Sequence, residues 1–320
     1  MYIKNHCYHI KNKNFLIFLM GPTASGKSKI AMILRNFLPV ELISVDSALI
    51  YKDMDIGTSK PSQFELYHHP HRLINLLDPK NFYSAFDFRK DALNEIQKIL
   101  RNNKIPLLVG GTMLYFHFLL YGSDQLPKSN IVLRKKLLYE VHDKNSDFLY
   151  QYLLHIDFDS AKDIHPHDIQ RIIRAIEIYL LTGKKMSFLI KEMTTAIPYD
   201  IIQFGIFPQK DILHKNIKNR FYHMLHQGFE REVWKLFNRN DLSFFSPGMR
   251  CIGYREMWMY FLKMISYNEM IKKSIISTFH LAKKQITWLK KWKNIIFIHD
   301  SDIKKIISLV LKKIYEKYCF

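Results

Sequence analysis

The segment from residue 21 to residue 28 reads Gly-Pro-Thr-Ala-Ser-Gly-Lys-Ser, which has the composition and spacing of a phosphate-binding loop. Gly21 and Gly26 allow backbone N–H groups to converge on a polyanion, and Lys27 adds a full positive charge. The hydroxyl of Ser28 is the expected protein ligand of a Mg²⁺ ion. The loop therefore predicts a ligand with at least two phosphates. The weaker alternative is a glycine turn that only packs one helix on one strand.

A carboxylate follows the next apolar run of the chain. Asp46 comes directly after the strand-like residues 41–45, and ligands of open α/β sheets bind beyond the carboxyl ends of the strands. We expect Asp46 to face the phosphate loop, where it acts as a general base or holds Mg²⁺ through water. The alternative is a structural role as a cap or turn former before Ser47.

The third apolar run, residues 105–109, ends in Gly110, Gly111 and Thr112. An ordinary P-loop NTPase carries its Mg²⁺-binding aspartate at such a strand end, so the missing carboxylate argues against nucleotide hydrolysis. The two glycines are expected to admit a bulky substrate. Thr112 is expected to cap the next helix or to contact that substrate.

A parallel sheet is needed to bring these groups together. Residues 15–20, 41–45 and 105–109 are short apolar runs typical of buried parallel strands, and helical patterns separate them. The strand-like residues 201–207 return the chain to the sheet, and residues 295–298 are a candidate for a last strand. The sequence therefore predicts an α/β fold, a P-loop NTPase-like parallel sheet core with an inserted all-helical subdomain.

The same patterns divide the chain into three stretches. Residues 14–122 are expected to form the first part of the α/β core. Residues 123–200 are helical and charged, with no strand pattern, and predict the inserted helical subdomain. Residues 201–320 are expected to complete the core and to add basic C-terminal helices.

The charge balance favours a phosphate-rich partner. The chain has 48 Lys and Arg against 29 Asp and Glu, which gives a net charge of +19 and a pI of about 9.6. Such a balance is typical of proteins that bind nucleic acid. The alternative is an A/T-biased genome, which enriches Lys, Asn and Ile without selection for binding.

One basic cluster lies in the helical insertion. Gln170, Arg171 and Arg174 open a helix, and the two arginines share one face of it. The alternative is a solvated face in which Arg174 pairs with Glu177.

Two further basic clusters lie near the C-terminus. Residues 250–255 place an arginine on each side of a glycine, and residues 283–292 interleave lysines with tryptophans. Surfaces of cations and aromatic rings stack bases and neutralise phosphates. We expect Arg255 to contact RNA and Trp288 to lie in the core.

The cysteines and the hydropathy indicate a cytoplasmic protein. Cys7, Cys251 and Cys319 are scattered without metal-ligand spacing, which predicts a reducing compartment without disulfides. The apolar runs stay below the roughly 18 residues that a spanning helix needs, and the N-terminus is too polar for a signal peptide. We therefore expect no membrane association.

Taken together, these segments resemble one family, the bacterial tRNA dimethylallyltransferases, also called tRNA isopentenyltransferases or IPP transferases. The matching segments are residues 21–28, 43–47, 51–61, 70–72, 83–85, 108–112, 170–171, 250–255 and 285–288. The resemblance runs from about Phe15 to Trp292 and is specific because the motifs occur together and in order. Ser28 stands where threonine is common, and residues 283 and 284 are lysines where arginine is frequent. Residues 1–14 match nothing in the family pattern.

The resemblance implies a reaction and its components. A dimethylallyl group passes from dimethylallyl diphosphate to N6 of adenosine 37, the tRNA nucleotide 3′ of the anticodon, giving N6-isopentenyladenosine and diphosphate. The implied cofactor is Mg²⁺, and the implied partners are the tRNA anticodon stem-loop and dimethylallyl diphosphate. A monomer is expected.

The resemblance also implies a role for each site residue. The implied catalytic residues are Asp46, Thr23, Lys27 and Arg220. The implied diphosphate-binding residues are Gly21, Pro22, Thr23, Ala24, Ser25, Gly26, Lys27 and Ser28, with Ser28 also the metal ligand. The implied tRNA-binding residues are Asp46, Ser47, Ala48, Leu49, Thr112, Arg134, Gln170, Arg171, Arg174, Arg250, Cys251, Gly253, Tyr254, Arg255, Lys283, Lys284, Gln285, Trp288 and Lys290.

Two other functions share some of these features. A small-molecule kinase of the P-loop class has the same core and loop, but it would consume ATP and has no use for the basic, tryptophan-containing helix. A non-catalytic RNA-binding module would leave Asp46 dispensable.

Overall fold

A six-stranded sheet organises the larger of two units in this computed structural model, which describes residues 14–122, 126–144, 146–191, 197–300 and 302–318. The strands are β1 (Phe15–Met20), β2 (Val40–Val45), β3 (His71–Arg72), β4 (Ile105–Gly110), β5 (Asp200–Ile206) and β6 (Ile296–Ile298). Their order across the sheet is β3-β2-β4-β1-β5-β6, and every pair is parallel.

The helices alternate with these strands and follow them. In chain order they are α1 (Lys27–Leu34), α2 (Gln63–His68), α3 (Ala85–Arg101), α4 (Met113–Tyr121), α5 (Ile131–Lys144), α6 (Ser146–Ile156), α7 (Phe158–Asp163), α8 (Ile169–Thr182), α9 (Met186–Lys191), α10 (Lys210–His226), α11 (Phe229–Phe237), α12 (Tyr254–Phe261), α13 (Tyr267–Lys290) and α14 (Ile303–Tyr318), with a short 3₁₀ helix at Gly248–Arg250. The predicted α/β fold with a parallel sheet is confirmed.

The central strand β1 is buried along its whole length because it pairs with a neighbour on each side. Leu19 lies opposite Val109 of β4 and Phe204 of β5. All six residues of β1 are buried and apolar, as a parallel strand covered on both faces requires. The edge strand β3 escaped prediction because its two residues, His71 and Arg72, are polar and too short to show a pattern.

Among the described residues, two of the apolar clusters hold the sheet and the C-terminal helices of the first unit in place. One covers a sheet face with α1 and α14, through residues such as Leu34 and Val310. The other joins α10, α11, α12 and α13 to the chain that follows β2, with Phe229 and Tyr254 fully buried in it. This second cluster brings the C-terminal half of the chain against the loops that follow the strands.

The second unit comprises residues 117–197, where the described elements beyond α4 are helical. Its core surrounds a carboxylate, because Glu177 is 0% exposed and accepts hydrogen bonds from Arg134 and Arg174. These arginines hold the pKa of Glu177 below its ordinary value. The pairing of Arg174 with Glu177 that was weighed as the alternative is therefore the arrangement in the fold. Arg171 is exposed and pairs with Asp168.

None of the helices within the described ranges combines the length and apolar content that crossing a bilayer requires. Of the three cysteines that were expected to form no disulfide, the structure describes only Cys251, which is a free thiol. Cys7 and Cys319 lie outside the described residues.

Candidate active site

A cavity of about 1040 Å³ opens in the first unit where β1, β2 and β4 end. The loop after β1 supplies Thr23 and Lys27, the end of β2 supplies Asp46, and the end of β4 supplies Thr112. This arrangement follows from the topology, because the carboxyl ends of parallel strands share one edge of the sheet. Residues of α10 and α13 complete the wall.

The phosphate loop turns into α1 at a glycine that the backbone requires. Gly26 has φ +83°, a left-handed conformation, and precedes the first helical residue, Lys27. A Cβ at Gly26 would meet no atom within 4 Å, so the backbone angle and not crowding is the reason for glycine there. Side-chain capping is absent at this helix start, which leaves its N–H groups available to a polyanion.

Lys27 lies in the cavity, and none of the carboxylates in the described ranges is in direct contact with it. Its Nζ donates to the carbonyl of Pro22 at 2.5 Å and to Ser25 Oγ at 3.3 Å. Burial lowers the pKa of Lys27 to about 7. The charge of Asp46 raises this pKa by less than burial lowers it, and the charge of Arg220 lowers it further. The site thus holds a cation that lacks a full counter-charge, as a phosphate site should.

Arg220 reaches the phosphate loop from α10. It donates to Thr23 Oγ1 at 2.9 Å, to Ser59 Oγ at 2.7 Å and to the Thr58 carbonyl at 3.0 Å. Burial lowers its pKa and Asp46 opposes that shift, but a guanidinium stays charged in proteins. Because the Thr23 oxygen accepts from Arg220, the Thr23 hydroxyl hydrogen is left for another acceptor.

Glu232 of α11 holds the loop that carries the acceptors for Arg220. One carboxylate oxygen accepts from the backbone N–H groups of Asp55 and Ile56 at 2.9 and 2.7 Å. The other accepts from Gly57 N–H at 3.1 Å and from the Tyr254 hydroxyl at 2.5 Å. Sequence reasoning missed Glu232, because a glutamate in an amphipathic helix gives no signal of the distant loop that it binds.

Gln285 of α13 connects two strand ends. Its Oε1 accepts from Thr23 N–H at 2.9 Å and its Nε2 donates to the Gly111 carbonyl at 2.9 Å. Gln285 was expected to bind tRNA, and the structure gives it a bond to the phosphate loop.

Close contact with other protein atoms explains why the two residues at the end of β4, 110 and 111, are glycines. A Cβ at Gly110 would lie 2.0 Å from the Val45 carbonyl oxygen, and one at Gly111 would lie 2.4 Å from Gln285 Nε2. Protein atoms thus require glycine at both positions, and both glycines also line the cavity, so their expected contact with a bulky substrate stays a prediction.

Asp46 is half-buried and lines the cavity. Its Oδ1 accepts from Ala48 N–H at 2.8 Å, so the turn-forming role weighed as the alternative is present. Thr112 Oγ1 accepts from Ser47 N–H at 3.1 Å and ties the same turn to the end of β4. One carboxylate oxygen thus fixes the orientation of Asp46, which leaves the second oxygen for chemistry.

Apolar groups line much of the rest of the cavity. Its wall includes the aromatic or thiol side chains of Tyr51, Tyr83, Tyr115, Phe221, Phe229, Cys251 and Trp288. Burial raises the pKa of Cys251 to about 12 and that of Tyr51 to about 12, so both stay neutral. A site with charge at one set of residues and apolar surface at another suits an amphiphilic ligand.

The structure brings together many of the residues expected at the site. The expected residues that line the cavity are Thr23, Ala24, Ser25, Gly26, Lys27, Ser28, Asp46, Ser47, Ala48, Leu49, Thr112, Arg220, Arg250, Cys251, Gly253, Lys284, Gln285 and Trp288. Trp288 is half-buried against the cavity, so its expected place in the core is wrong.

Other expected residues lie away from the cavity. Tyr254 is fully buried in the apolar cluster, whereas Arg255, Lys283 and Lys290 are exposed. Gly21 and Pro22 are buried at the base of the phosphate loop. Arg134, Gln170, Arg171 and Arg174 belong to the second unit.

The donor set fits a magnesium ion of the phosphate-bound kind. Mg²⁺ in such sites takes one or two protein oxygens and completes its shell with phosphate and water. Ser28 and Asp46 both line the cavity and offer a hydroxyl and a carboxylate. Within the described residues, no group of three or more His, Cys, Asp or Glu could hold a metal by itself.

Comparison with known proteins identifies relatives of the same kind in sequence and in structure. The IPP transferase family model matches residues 49–292. A tRNA dimethylallyltransferase of Buchnera aphidicola subsp. Acyrthosiphon pisum (strain APS) is 50% identical over 311 residues, 97% of this chain and 98% of the relative. One from Buchnera aphidicola subsp. Baizongia pistaciae (strain Bp) is 47% identical over 322 residues, 98% of this chain and 100% of the relative.

Solved structures agree with these relatives. The full-length tRNA isopentenylpyrophosphate transferase of Bacillus halodurans matches with a TM-score of 0.69 and 31% identity, covering 95% of this chain and 98% of that one. A eukaryotic dimethylallyltransferase acting on tRNA matches with a TM-score of 0.80 and 26% identity, covering 95% of this chain and 80% of that one.

The loop that Glu232 holds should control phosphate binding through Arg220. Glu232→Gln places an NH₂ group against backbone N–H donors, so the loop moves and Arg220 loses its acceptors. We expect binding of inorganic diphosphate to weaken roughly 10- to 100-fold, the size of a lost charge-assisted hydrogen bond. Isothermal titration calorimetry measures this affinity.

Glu256→Gln is the matched control for that experiment. Glu256 is buried and, like Glu232, accepts from a backbone N–H, that of Gly253 at 2.7 Å, but its hydrogen bonds do not reach the loop at residues 55–59. Both variants should melt at a lower temperature, and only Glu232→Gln should bind diphosphate more weakly. Equal diphosphate affinities in the two variants would contradict the role given to Glu232.

Proposed function

This chain belongs to the IPP transferase family and is a prenyl transferase that acts on tRNA, and we propose the chemistry of its cavity on that premise. The donor is dimethylallyl diphosphate, and the acceptor is N6 of adenosine 37, beside the anticodon. One observation carries the proposal: a phosphate loop, a carboxylate and an apolar wall line the same cavity. The diphosphate needs the loop, the acceptor amine needs the carboxylate, and the prenyl chain needs the apolar wall.

The reaction is a displacement at the allylic carbon. The N6 amine attacks C1 of the prenyl group, the C1–O bond breaks, and diphosphate leaves with the bonding electron pair. The N6 proton passes to the Asp46 carboxylate. An exocyclic adenine amine is a poor nucleophile, so removal of its proton as the new bond forms lowers the barrier. Asp46 suits this role because Ala48 N–H fixes one oxygen and leaves the other.

Stabilisation of the leaving group falls to the phosphate loop and Arg220. Negative charge develops on diphosphate as the C1–O bond breaks, and cations already in place stabilise it most effectively. Lys27 and Arg220 supply charge, and the backbone N–H groups at the start of α1 supply dipoles. The Thr23 hydroxyl, whose oxygen accepts from Arg220, donates its hydrogen to the diphosphate near the bridging oxygen.

Mg²⁺, when bound, would neutralise charge on the diphosphate and so help it to leave. Ser28 would be its direct protein ligand, and Asp46 would contact it through water. The roles given above to Asp46, Lys27, Arg220 and Thr23 stay as described.

The cavity favours a prenyl diphosphate over a nucleoside triphosphate. Its lining includes Tyr115, Phe221 and Trp288, and the end of β4 offers Gly110 and Gly111 where a P-loop NTPase has its metal-binding aspartate. A P-loop kinase shares the loop but not these features, and the relatives of this chain carry transferase names.

The tRNA contacts are proposed on charge and exposure. Arg255 of α12 and Lys283 and Lys290 of α13 are exposed cations, and Arg171 is exposed on the second unit. Phosphate contacts of this kind would offset the few kcal/mol that extrusion of the target base costs. A monomeric state and a cytoplasmic location stay predictions.

The proposed function has a direct test. The protein is incubated with unmodified tRNA, dimethylallyl diphosphate and Mg²⁺, and the nucleosides are analysed by mass spectrometry. N6-isopentenyladenosine is expected at position 37, and ATP should not replace the donor. ATP hydrolysis stimulated by a small metabolite, without prenyl transfer, would favour the kinase instead.

Asp46→Ala should slow transfer about 10²- to 10⁴-fold, the usual contribution of a general base. Single-turnover kinetics measure this loss, and tRNA affinity should change little. Asp46→Asn is the matched control, because it keeps an acceptor for Ala48 N–H but cannot take a proton. Transfer at the wild-type rate in Asp46→Asn would exclude the base.

Donor binding should take up a proton at pH 8. Because the pKa of Lys27 is about 7 in the free protein, most molecules hold it neutral at that pH, and the bound polyanion restores its charge. Uptake close to one proton is expected, and it should fall towards zero well below pH 7, where Lys27 is already charged. Calorimetry in buffers of different ionisation enthalpy counts the protons, and buffer-independent heats would contradict the lowered pKa.

A further inference from the structure

Two phenylalanine rings beside the cavity are largely exposed. Phe82 is 62% exposed and Phe245 is 74% exposed. Each lies next to the cavity wall in the chain, because Tyr83 follows the first ring and Pro247 comes two residues after the second, and both line the cavity. Large exposed apolar groups at the mouth of a site contribute little to folding and point to a partner.

The two loops that carry these rings are fixed to each other. The N–H of Gly248 donates to the carbonyl of Pro79 at 2.8 Å, and Arg239 Nη2 lies 2.8 Å from Asp78 Oδ2. The backbones approach so closely that a Cβ at Gly248 would lie 2.7 Å from the Cβ of Pro79. Loops held in place before binding lose little conformational entropy when a partner arrives.

One guanidinium lies close to the Phe82 ring, and another lies close to Phe244, the ring that contacts Phe245. The Arg250 Cζ lies 5.9 Å from the centre of the Phe82 ring, and Arg250 lines the cavity. The Arg255 Cζ lies 5.5 Å from the centre of Phe244, whose ring meets that of Phe245 at 5.5 Å with an interplanar angle of 85°. Flat apolar faces beside cations are the composition of single-stranded nucleic acid sites. A purely apolar protein partner would gain nothing from these arginines.

We propose that Phe82 and Phe245 are stacking surfaces for unpaired anticodon-loop bases that flank the adenosine in the cavity. The inference rests on the proposed function, which supplies the RNA. Bases in a duplex are covered by their neighbours, whereas unpaired loop bases can be splayed out and stacked on aromatic side chains. Stacking on these rings replaces contacts that the loop loses when its adenosine is extruded, and Arg250 and Arg255 neutralise the adjoining phosphates.

Phe82→Ala and Phe245→Ala test the proposal by binding to an unmodified tRNA anticodon stem-loop over a series of salt concentrations. Phe64→Ala is the matched control, because Phe64 is 73% exposed but lies on α2, outside the cavity lining. Each rim variant should weaken binding roughly 5- to 100-fold, the value of one base stacked on an aromatic ring. The control should bind like the wild type, and all three should keep the wild-type melting temperature.

The salt dependence separates stacking from charge. A ring carries no charge, so the slope of log affinity against log salt should stay at its wild-type value in both rim variants. Loss of a phosphate contact, as in Arg255→Ala, should lower that slope by about one. A lowered slope in the rim variants would mean that the rings act only by holding the arginines, and it would overturn the proposal.

The remaining outcomes are also decisive. Wild-type RNA affinity in both rim variants, or an equal loss in Phe64→Ala, overturns the stacking role and leaves the proposed function standing. Altered self-association of the rim variants in ultracentrifugation, with unchanged RNA affinity, assigns the rings to a protein partner and also overturns the stacking role. Failure of the wild-type protein to prenylate tRNA at all contradicts the proposed function and not the stacking alone.

Discussion

Two partly buried cations in one cavity, Lys27 and Arg220, set the condition that the rest of the active site satisfies. Charges out of water cost free energy unless they are compensated, and the nearby carboxylate of Asp46 compensates them only in part. The lowered pKa of Lys27 records that imbalance. In the proposed function, a diphosphate supplies the missing negative charge.

The parts that hold these cations come from distant places in the sequence. Arg220 meets Thr23 across 197 residues, and Gln285 meets the same threonine across 262. Glu232 fixes the loop that contains acceptors for Arg220, because it accepts hydrogen bonds from three backbone N–H groups of that loop. The C-terminal helices are therefore part of the phosphate site and not an appendage to it. Their apolar cluster, with Phe229 and Tyr254 at its centre, keeps them there.

The cavity rim adds a second layer of organisation, which we propose serves the acceptor. The loops that follow residue 78 and residue 239 are joined by backbone and ionic contacts, which present aromatic rings and guanidinium groups at the cavity mouth. A rigid rim and a preorganised phosphate site serve one requirement: both substrates must meet with their reacting atoms aligned, and order that exists before binding reduces the entropy lost on alignment.

The sequence by itself determined the elements that depend on local pattern. The apolar run before Gly21, the loop to Ser28 and the position of Asp46 after a strand were sufficient to predict the parallel sheet and the placement of phosphate and carboxylate at one edge, because these follow from periodicity and from the topology of parallel strands. The strand β3 was invisible, because two polar residues have no pattern.

Only the tertiary structure decided which residues contact one another at the site and how far each is buried. The glycines at 110 and 111 suggested room for a substrate, and the structure adds that the Val45 carbonyl and the Gln285 amide lie where a Cβ would be. Trp288 was predicted to lie in the core, but the structure places it half-buried at the cavity. The burial of a side chain, and the partner that a glutamate or glutamine finds, depend on residues far away in the chain. No local pattern encodes those contacts, because they form only when the apolar clusters bring the two halves of the sequence together.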